Sequence, residues 1–213
     1  PSDGDAVAKS ALTMLTEKLQ QQEVLLMGCG LGASENVKHL VGQLVIESKK
    51  PVVIDADGIN ALKGNINILN QKKAPVVLTP HPMEFSRITG HSMDYIRHNR
   101  VRAARDFAKE YGVTLVLKGA DSLVACPDGR VYVNTVSNSG MATAGSGDVL
   151  AGIIAGLAAQ GASLEDAACV GVHLHTLAGG IAKEKLGEYG MTAVDILNAV
   201  PLALMRATET NRE

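Results

Sequence analysis

Residues 51–60 read PVVIDADGIN, a continuous apolar run that ends abruptly in two carboxylates, a glycine and an asparagine. A strand with one wet face alternates apolar and polar residues. This run does not, so it reads as a parallel strand covered by helices on both faces. Val24–Met27, Pro75–Leu78 and Val113–Leu117 repeat the pattern, each short, continuous and rich in branched aliphatic residues. Helix candidates follow them, over about Ser34–Ser48, Pro82–Ile88 and Met93–Tyr111. Right-handed crossovers through such helices make a doubly wound, mostly parallel α/β sheet. One segment breaks the rhythm: SLVACPDGRVYVNTV, Ser122–Val136, alternates around Pro127, Asp128 and Gly129 and reads as an antiparallel hairpin. After it the chain is predicted to be mostly helical, over Asp148–Gln160, Ser163–Leu186 and Thr192–Thr208. No repeat or long linker marks a second domain.

Composition narrows the chemistry. The 213 residues include 20 Lys and Arg against 22 Asp and Glu, a net charge of −2, so no overall field recruits nucleic acid or an anionic membrane. Aromatic residues make up 3% with no Trp, which argues against stacking platforms for single-stranded nucleic acid. Cys29, Cys126 and Cys169 are odd in number and far apart, a pattern that fits neither a disulfide framework nor a Cys-x-x-Cys zinc site and points to a reducing cytosol. With no leader pattern and no apolar run long enough to span a bilayer, the expectation is a soluble cytoplasmic protein that acts on small molecules.

In an open α/β sheet, ligands bind outside the carboxyl ends of the strands. The residues that follow the four apolar runs are GCGLG (Gly28–Gly32), DADGIN (Asp55–Asn60), TPHPMEFSRITG (Thr79–Gly90) and KGADS (Lys118–Ser122). Each has a plain reading beside a functional one. Gly28, Gly30 and Gly32 suit a strand-to-helix turn as well as a phosphate. Asp55 and Asp57 suit helix capping as well as metal or substrate contact. Glu84 and Arg87, three apart, suit a surface ion pair, while His81 between Pro80 and Pro82 is held stiffly enough to meet a ligand. Lys118 suits a strand-end lysine reaching for solvent, or a nucleotide contact.

The run of small residues Ser139, Gly140, Ala142, Thr143, Ala144, Gly145, Ser146 and Gly147, interrupted only by Met141, is more specific, because an apolar helix starts immediately behind it. Backbone N–H groups along such a run form a concave anion site, and the helix N-terminus adds roughly half a positive charge. Asp148 follows directly. Helix-end electrostatics alone account for an Asp there, but beside an anion hole it is also sited to take a proton from a hydroxyl that is being phosphorylated. The Walker pattern is absent, so a P-loop NTPase is not indicated. Gly152 and Gly156, four apart, allow close packing against a neighbour. His173 and His175 lie on different helix faces and read as core or interface residues. Arg97, Arg100, Arg102, Arg105 and Lys109 read as the solvated side of an amphipathic helix.

Taken together, GCGLG, VVIDADGIN, LTPHPMEFSRITG, LVLKGADS, NSGMATAGSGDVLAGIIAGLAAQG and GMTAVDIL resemble, in order and spacing, the NAD(P)H-hydrate dehydratases of the ribokinase-like superfamily, from about Val24 to Leu202. The resemblance implies a ribokinase-like fold and a nucleotide-driven dehydration. ADP or ATP phosphorylates the ring hydroxyl of NADHX or NADPHX, and loss of phosphate restores NADH or NADPH. It implies that Asp148 activates the hydroxyl and that Gly145, Ser146 and Gly147 stabilise the transferring phosphoryl group. It implies nucleotide contacts from Lys118, Gly119, Ala120, Asp121, Ser122 and Asn138 through Gly147. Gly30, Gly32, His81 and Asp148 would meet the hydrate, with Glu84 in support. Mg2+ is implied without a dedicated ligand set, as is a homo-oligomer, with a tetramer among the assemblies it allows. Cys29 stands where a Pro is common in the family, and Met83 where a Gly is. Family members carry a longer stretch before the first glycine loop than the roughly 23 residues found here, so residues 1–213 are read as one domain lacking that stretch. The alternatives are a ribokinase-like small-molecule kinase, whose product stays phosphorylated, and a shortened non-catalytic nucleotide-binding protein.

Overall fold

The computed structural model describes residues 2–3 and 6–209. A two-residue antiparallel pair, β1 (Ser2–Asp3) and β2 (Ala6–Val7), and helix α1 (Leu12–Leu19) precede the main sheet. The chain then runs β3 (Leu25–Met27), α2 (Glu35–Glu47), β4 (Val52–Ile54), α3 (Ala56–Ala61), β5 (Val76–Leu78), α4 (Pro82–Thr89), α5 (Met93–His98), α6 (Arg100–Tyr111) and β6 (Thr114–Leu117). The hairpin β7 (Leu123–Ala125) and β8 (Val131–Val133) leads into α7 (Ser146–Ala159), α8 (Leu164–Leu186) and α9 (Ala193–Glu209).

The main sheet has the spatial order β3-β4-β5-β6-β7-β8, parallel through β6 and antiparallel for the last two pairings. The four apolar runs of the sequence are therefore its parallel strands, and the alternating stretch is its antiparallel pair. Strand periodicity sorts their side chains. Val52, Ile54, Val76, Leu78, Leu115 and Leu117 face a layer containing α2, α4 and α6. Val53, Val77, Val116 and Val124 point the other way, into α7 and α8. Both faces are dry, which is why the runs show no polar alternation. The crossovers between the described parallel strands line one face, and the C-terminal helices supply the other.

Local chemistry fixes the helix ends. Ser34 caps α2 by accepting the Val37 N–H, and the helix buries Val37, Leu40, Val41, Leu44 and Val45 at helical spacing. His81 caps α4, Pro82 takes its first position, and Gly90 closes it at φ 75°. The predicted helix Met93–Tyr111 is instead two helices. Asn99 sits at φ −128°, ψ 27°, and its side-chain amide donates to the Tyr95 carbonyl, a local bond that competes with continuation of the helix. Gly152 and Gly156 are exposed on α7, and a methyl group at either would meet nothing within 4 Å. The close packing expected of them is not made among the described residues. No described helix is long and apolar enough to cross a membrane.

Candidate functional site

The loops that follow β3, β4, β5 and β6 converge at the carboxyl edge of the sheet, as expected, but the contacts that join them run between residues far apart in sequence. After β3 the chain turns through Gly28, Gly30 and Gly32, all at positive φ. Gly28 is required sterically: a Cβ there would overlap the carbonyl oxygen of Asp55. Gly32 donates its N–H to Asp57 at 2.8 Å, which ties the glycine loop to the start of α3.

Asp55 does not cap α3. Its carboxylate is buried and accepts from the Lys118 ammonium at 2.8 Å, across 63 residues of sequence. Lys118 accordingly does not extend into solvent. A Cβ on Gly147 would come within 3.1 Å of Lys118 Nζ and 3.5 Å of Asp55 Oδ2, so the ion pair rests against the first turn of α7. Gly145 begins that turn at φ 86° with no side-chain cap, leaving the leading N–H groups of the helix without a side-chain partner at its start. Asp148, in the same turn, lies close to Asp55 and Cys29: donor atoms of the three fall within 4.8 Å of one another. Partial burial first, and then the hydrogen bond to Asp148 and the field of the two carboxylates, push the Cys29 thiol up to about 12. A thiol held that high is neutral at physiological pH.

On the other side of Lys118 opens a cavity of about 640 Å³. Of the residues predicted to bind nucleotide, Lys118, Gly119, Ala120, Ser122, Asn138, Ser139, Met141, Ala142, Thr143, Ser146 and Gly147 line it. Asp121, Gly140, Ala144 and Gly145 belong to the same segments but lie outside its wall. Several side chains of that stretch are already committed. Asn138 accepts from Gly140 N–H and donates to Gly179 O, while Ser139 donates to Glu188 at 2.6 Å. Gly140 is small because Met191 and the Glu188 backbone pack directly on it. What Asn138, Ser139 and Gly140 offer a ligand is largely backbone.

Of the residues predicted to meet the hydrate, His81 reaches the cavity, whereas Gly30, Gly32, Glu84 and Asp148 lie outside its wall. The expected Glu84–Arg87 ion pair does not form. Glu84 is buried and accepts the His81 N–H at 2.8 Å, and the His81 ring accepts from Met83 and Glu84 N–H in return. A capping box leaves the carboxylate no reach toward Arg87, which donates to Asn60 at 3.1 Å instead.

Four positions carry more weight in the structure than in the sequence. His175 is buried, lines the cavity and lies 3.2 Å from Ser146 Oγ. Burial, with the nearby Lys118 charge adding to it, lowers its pKa from the usual 6.5 to about 4, so the ring is neutral near pH 7. Asn134 and Thr176, hydrogen-bonded at 3.0 Å, line the same cavity. Arg100 was expected on a solvated helix face. It turns inward, donating to the carbonyls of Leu117, Lys118 and Asp121 at 3.3, 3.3 and 3.0 Å. None of the four has a local sequence signature.

Known proteins resemble this chain in sequence and fold. The family model described as NAD(P)H-hydrate dehydratase matches residues 4–202, starting well before the Val24 at which the sequence motifs begin. The bifunctional NAD(P)H-hydrate repair enzyme Nnr of Thermofilum pendens is 42% identical over 203 residues, covering 95% of this chain and 39% of the relative. The ADP-dependent (S)-NAD(P)H-hydrate dehydratase of Neisseria meningitidis is 41% identical over 197 residues, covering 91% of this chain and 67% of the relative. The chain thus spans about two fifths of the length of the bifunctional relatives it matches. Among solved structures, the ADP/ATP-dependent NAD(P)H-hydrate dehydratase of Bacillus subtilis, co-crystallised with ATP and Mg2+, superposes with a TM-score of 0.79 at 27% identity, covering 90% of this chain and 69% of the other.

Proposed function

The chain belongs to the NAD(P)H-hydrate dehydratase family, and from that premise we propose that it uses ADP or ATP to phosphorylate the ring hydroxyl of NADHX or NADPHX and eliminates phosphate to return NADH or NADPH. The observation that carries this reading is the partition of the site. A roomy cavity and a carboxylate-bearing rim meet at one point, the Lys118–Asp55 pair laid against Gly147. We read the cavity as the place for a nucleotide and the rim as the place for a hydroxylated ring, with the start of α7 between them.

The chemistry follows from the groups present. Hydroxide is a poor leaving group and phosphate a good one. Asp148 accepts the hydroxyl proton as the oxygen attacks the terminal phosphorus, the phosphoanhydride bond breaks and the shortened nucleotide, AMP from ADP or ADP from ATP, leaves. The N–H groups around Gly145, Ser146 and Gly147, with the Lys118 ammonium, offset the charge on the moving phosphoryl group. The lone pair of the adjacent ring nitrogen then expels phosphate, and loss of a proton from the neighbouring carbon restores the conjugated ring. Neutral His175 fixes Ser146 without adding a charge to the cavity. Asp55 and Asp148 are hard oxygen donors close enough to share one Mg2+, whose other ligands would be water and phosphate oxygens; the Cys29 thiol is a poor match for that ion. Bound there, the ion would shield phosphate charge.

We read the described residues as one ribokinase-like domain. We take its assembly to be a homo-oligomer and its compartment the cytoplasm. Val194, Leu197, Leu204 and Met205, exposed along α9, and the free thiols of Cys29, Cys126 and Cys169 support those readings. The test is incubation with NADHX, Mg2+ and either ADP or ATP. Recovery of the dihydronicotinamide absorbance is expected with wild type and not with Asp148→Asn. A stable phosphorylated product would mark a small-molecule kinase instead, and nucleotide binding without either reaction would mark a non-catalytic protein.

A further inference from the structure

Lys118 owes its position to backbone contacts on two sides. Its N–H donates to the Pro80 carbonyl at 2.9 Å, which fixes the strand end against the loop after β5. On the other side stands Arg100, the first residue of α6. One guanidinium nitrogen, Nη2, lies within hydrogen-bond distance of the carbonyls of Leu117, Lys118 and Asp121. These carbonyls bracket the turn between β6 and β7. The guanidinium is pressed into the turn itself. A Cβ on Gly119 would fall 2.7 Å from both Nη1 and Nη2, so Gly119 is what allows the arginine to approach. Arg100 Nε is buried with no hydrogen-bond partner among the described residues. The side chain thus gives up hydration at Nε while Nη2 bonds to the turn.

Arg100 itself does not line the cavity, whereas Lys118, Gly119, Ala120 and Ser122, the residues it braces, do. We infer that Arg100 is a positioning residue for the nucleotide: its guanidinium holds the turn from Leu117 to Asp121 so that Lys118 and Gly119–Ser122 face the cavity, and so sets nucleotide affinity without touching either substrate. Lysine is no substitute. It carries the charge on a compact, strongly hydrated ammonium at the end of a flexible stem, without the rigid planar head that Arg100 sets against Gly119. The inference rests on the nucleotide reading of the cavity.

The test compares wild type, Arg100→Met and Arg100→Lys as full chains. Calorimetric titration with ADP and with ATP in the presence of Mg2+ is combined with steady-state kinetics on NADHX and backbone amide exchange. Both variants should bind nucleotide about tenfold more weakly or worse, the scale of lost hydrogen bonds from a charged donor. Amides of Gly119–Ser122 should exchange faster, while KM for the hydrate stays at the wild-type value. Should Arg100→Met fail to fold, Arg100→Lys, with its retained charge and stem, carries the comparison. A folded Arg100 variant with wild-type nucleotide affinity overturns the inference. So does an equal rise in both KM values, which would mark a general structural role. Wild type that binds neither nucleotide would instead overturn the nucleotide reading on which the inference stands.

Discussion

The two ends of the same sheet solve opposite problems. At the amino end, a small groove of about 210 Å³ is walled by Pro51, Pro75, Gly112, Pro127 and Ser163–Glu165. Beside it, Arg130 pairs in the open with Asp128 and with Glu165 of the groove wall, with 57% of its side chain exposed. At the carboxyl end, the Lys118–Asp55 pair is drawn inward, 19% and 1% exposed. Around it lie a second carboxylate, a thiol and a helix N-terminus. An exposed pair contributes little because water competes for both partners. A buried pair costs desolvation and persists where geometry and further contacts repay it. Among the described residues the Lys118–Asp55 pair at the carboxyl end bears that cost, at the end where the proposed function puts the chemistry.

The widest test of this contrast is chemical. Asp148→Asn should lower kcat/KM for hydrate repair by about a hundredfold or more, the usual scale for a positioned general base, with little change in the urea midpoint. A variant within a few-fold of wild type would remove Asp148 from the reaction. The contrast in burial can be tested next. Asp55→Asn leaves the Lys118 ammonium largely buried without its counter-charge and should cost on the order of 3 kcal/mol by urea denaturation. Arg130→Met at the other end should leave the midpoint where it is. Equal effects would erase the distinction between the two ends.

A third test uses acid. Burial holds His175 at about 4 in the folded protein, against 6.5 ordinarily. As pH falls, the unfolded chain takes up this proton first. The contribution is therefore full above about 6.5 and is lost as pH drops from there toward 4, amounting to about 3 kcal/mol. Wild type should lose stability across that window more steeply than His175→Gln; parallel curves would show that the ring is already charged or exposed. The smallest effect concerns the exposed glycines of α7. Gly152→Ala and Gly156→Ala should each stabilise the chain by about 0.5–1 kcal/mol through helix propensity. A loss instead would mean that another copy packs closely on that face.

The architecture was largely legible in the sequence because strand burial and helix capping act over short distances. PVVIDADGIN carries a whole strand and the loop that opens the site, and each of the four parallel runs sits where its composition placed it. The long helix predicted through Asn99 was misread because one asparagine side chain outcompeted a strong amphipathic pattern. The motif glycines were legible too, since positive φ at Gly28, Gly32 and Gly145 is a local demand of the backbone.

The pairings within the site were not legible. Asp55 looked like a helix cap, Lys118 like a strand-end lysine, Arg100 like part of a solvated face and His175 like a core residue. Each is a fair inference from neighbours in sequence. Each partner that decides its role lies 17 to 63 residues away: Arg100 and Leu117 are 17 apart, Ser146 and His175 are 29, Asp55 and Lys118 are 63. By itself the sequence determined the layers of the fold, the loops that gather at one edge and the Gly-Ser-Gly-Asp turn that opens α7. Tertiary structure alone decided which charges neutralise one another and which are left to meet a ligand. Electrostatic partners are selected by distance through space and by shared exclusion of water, and neither quantity exists until the chain has packed.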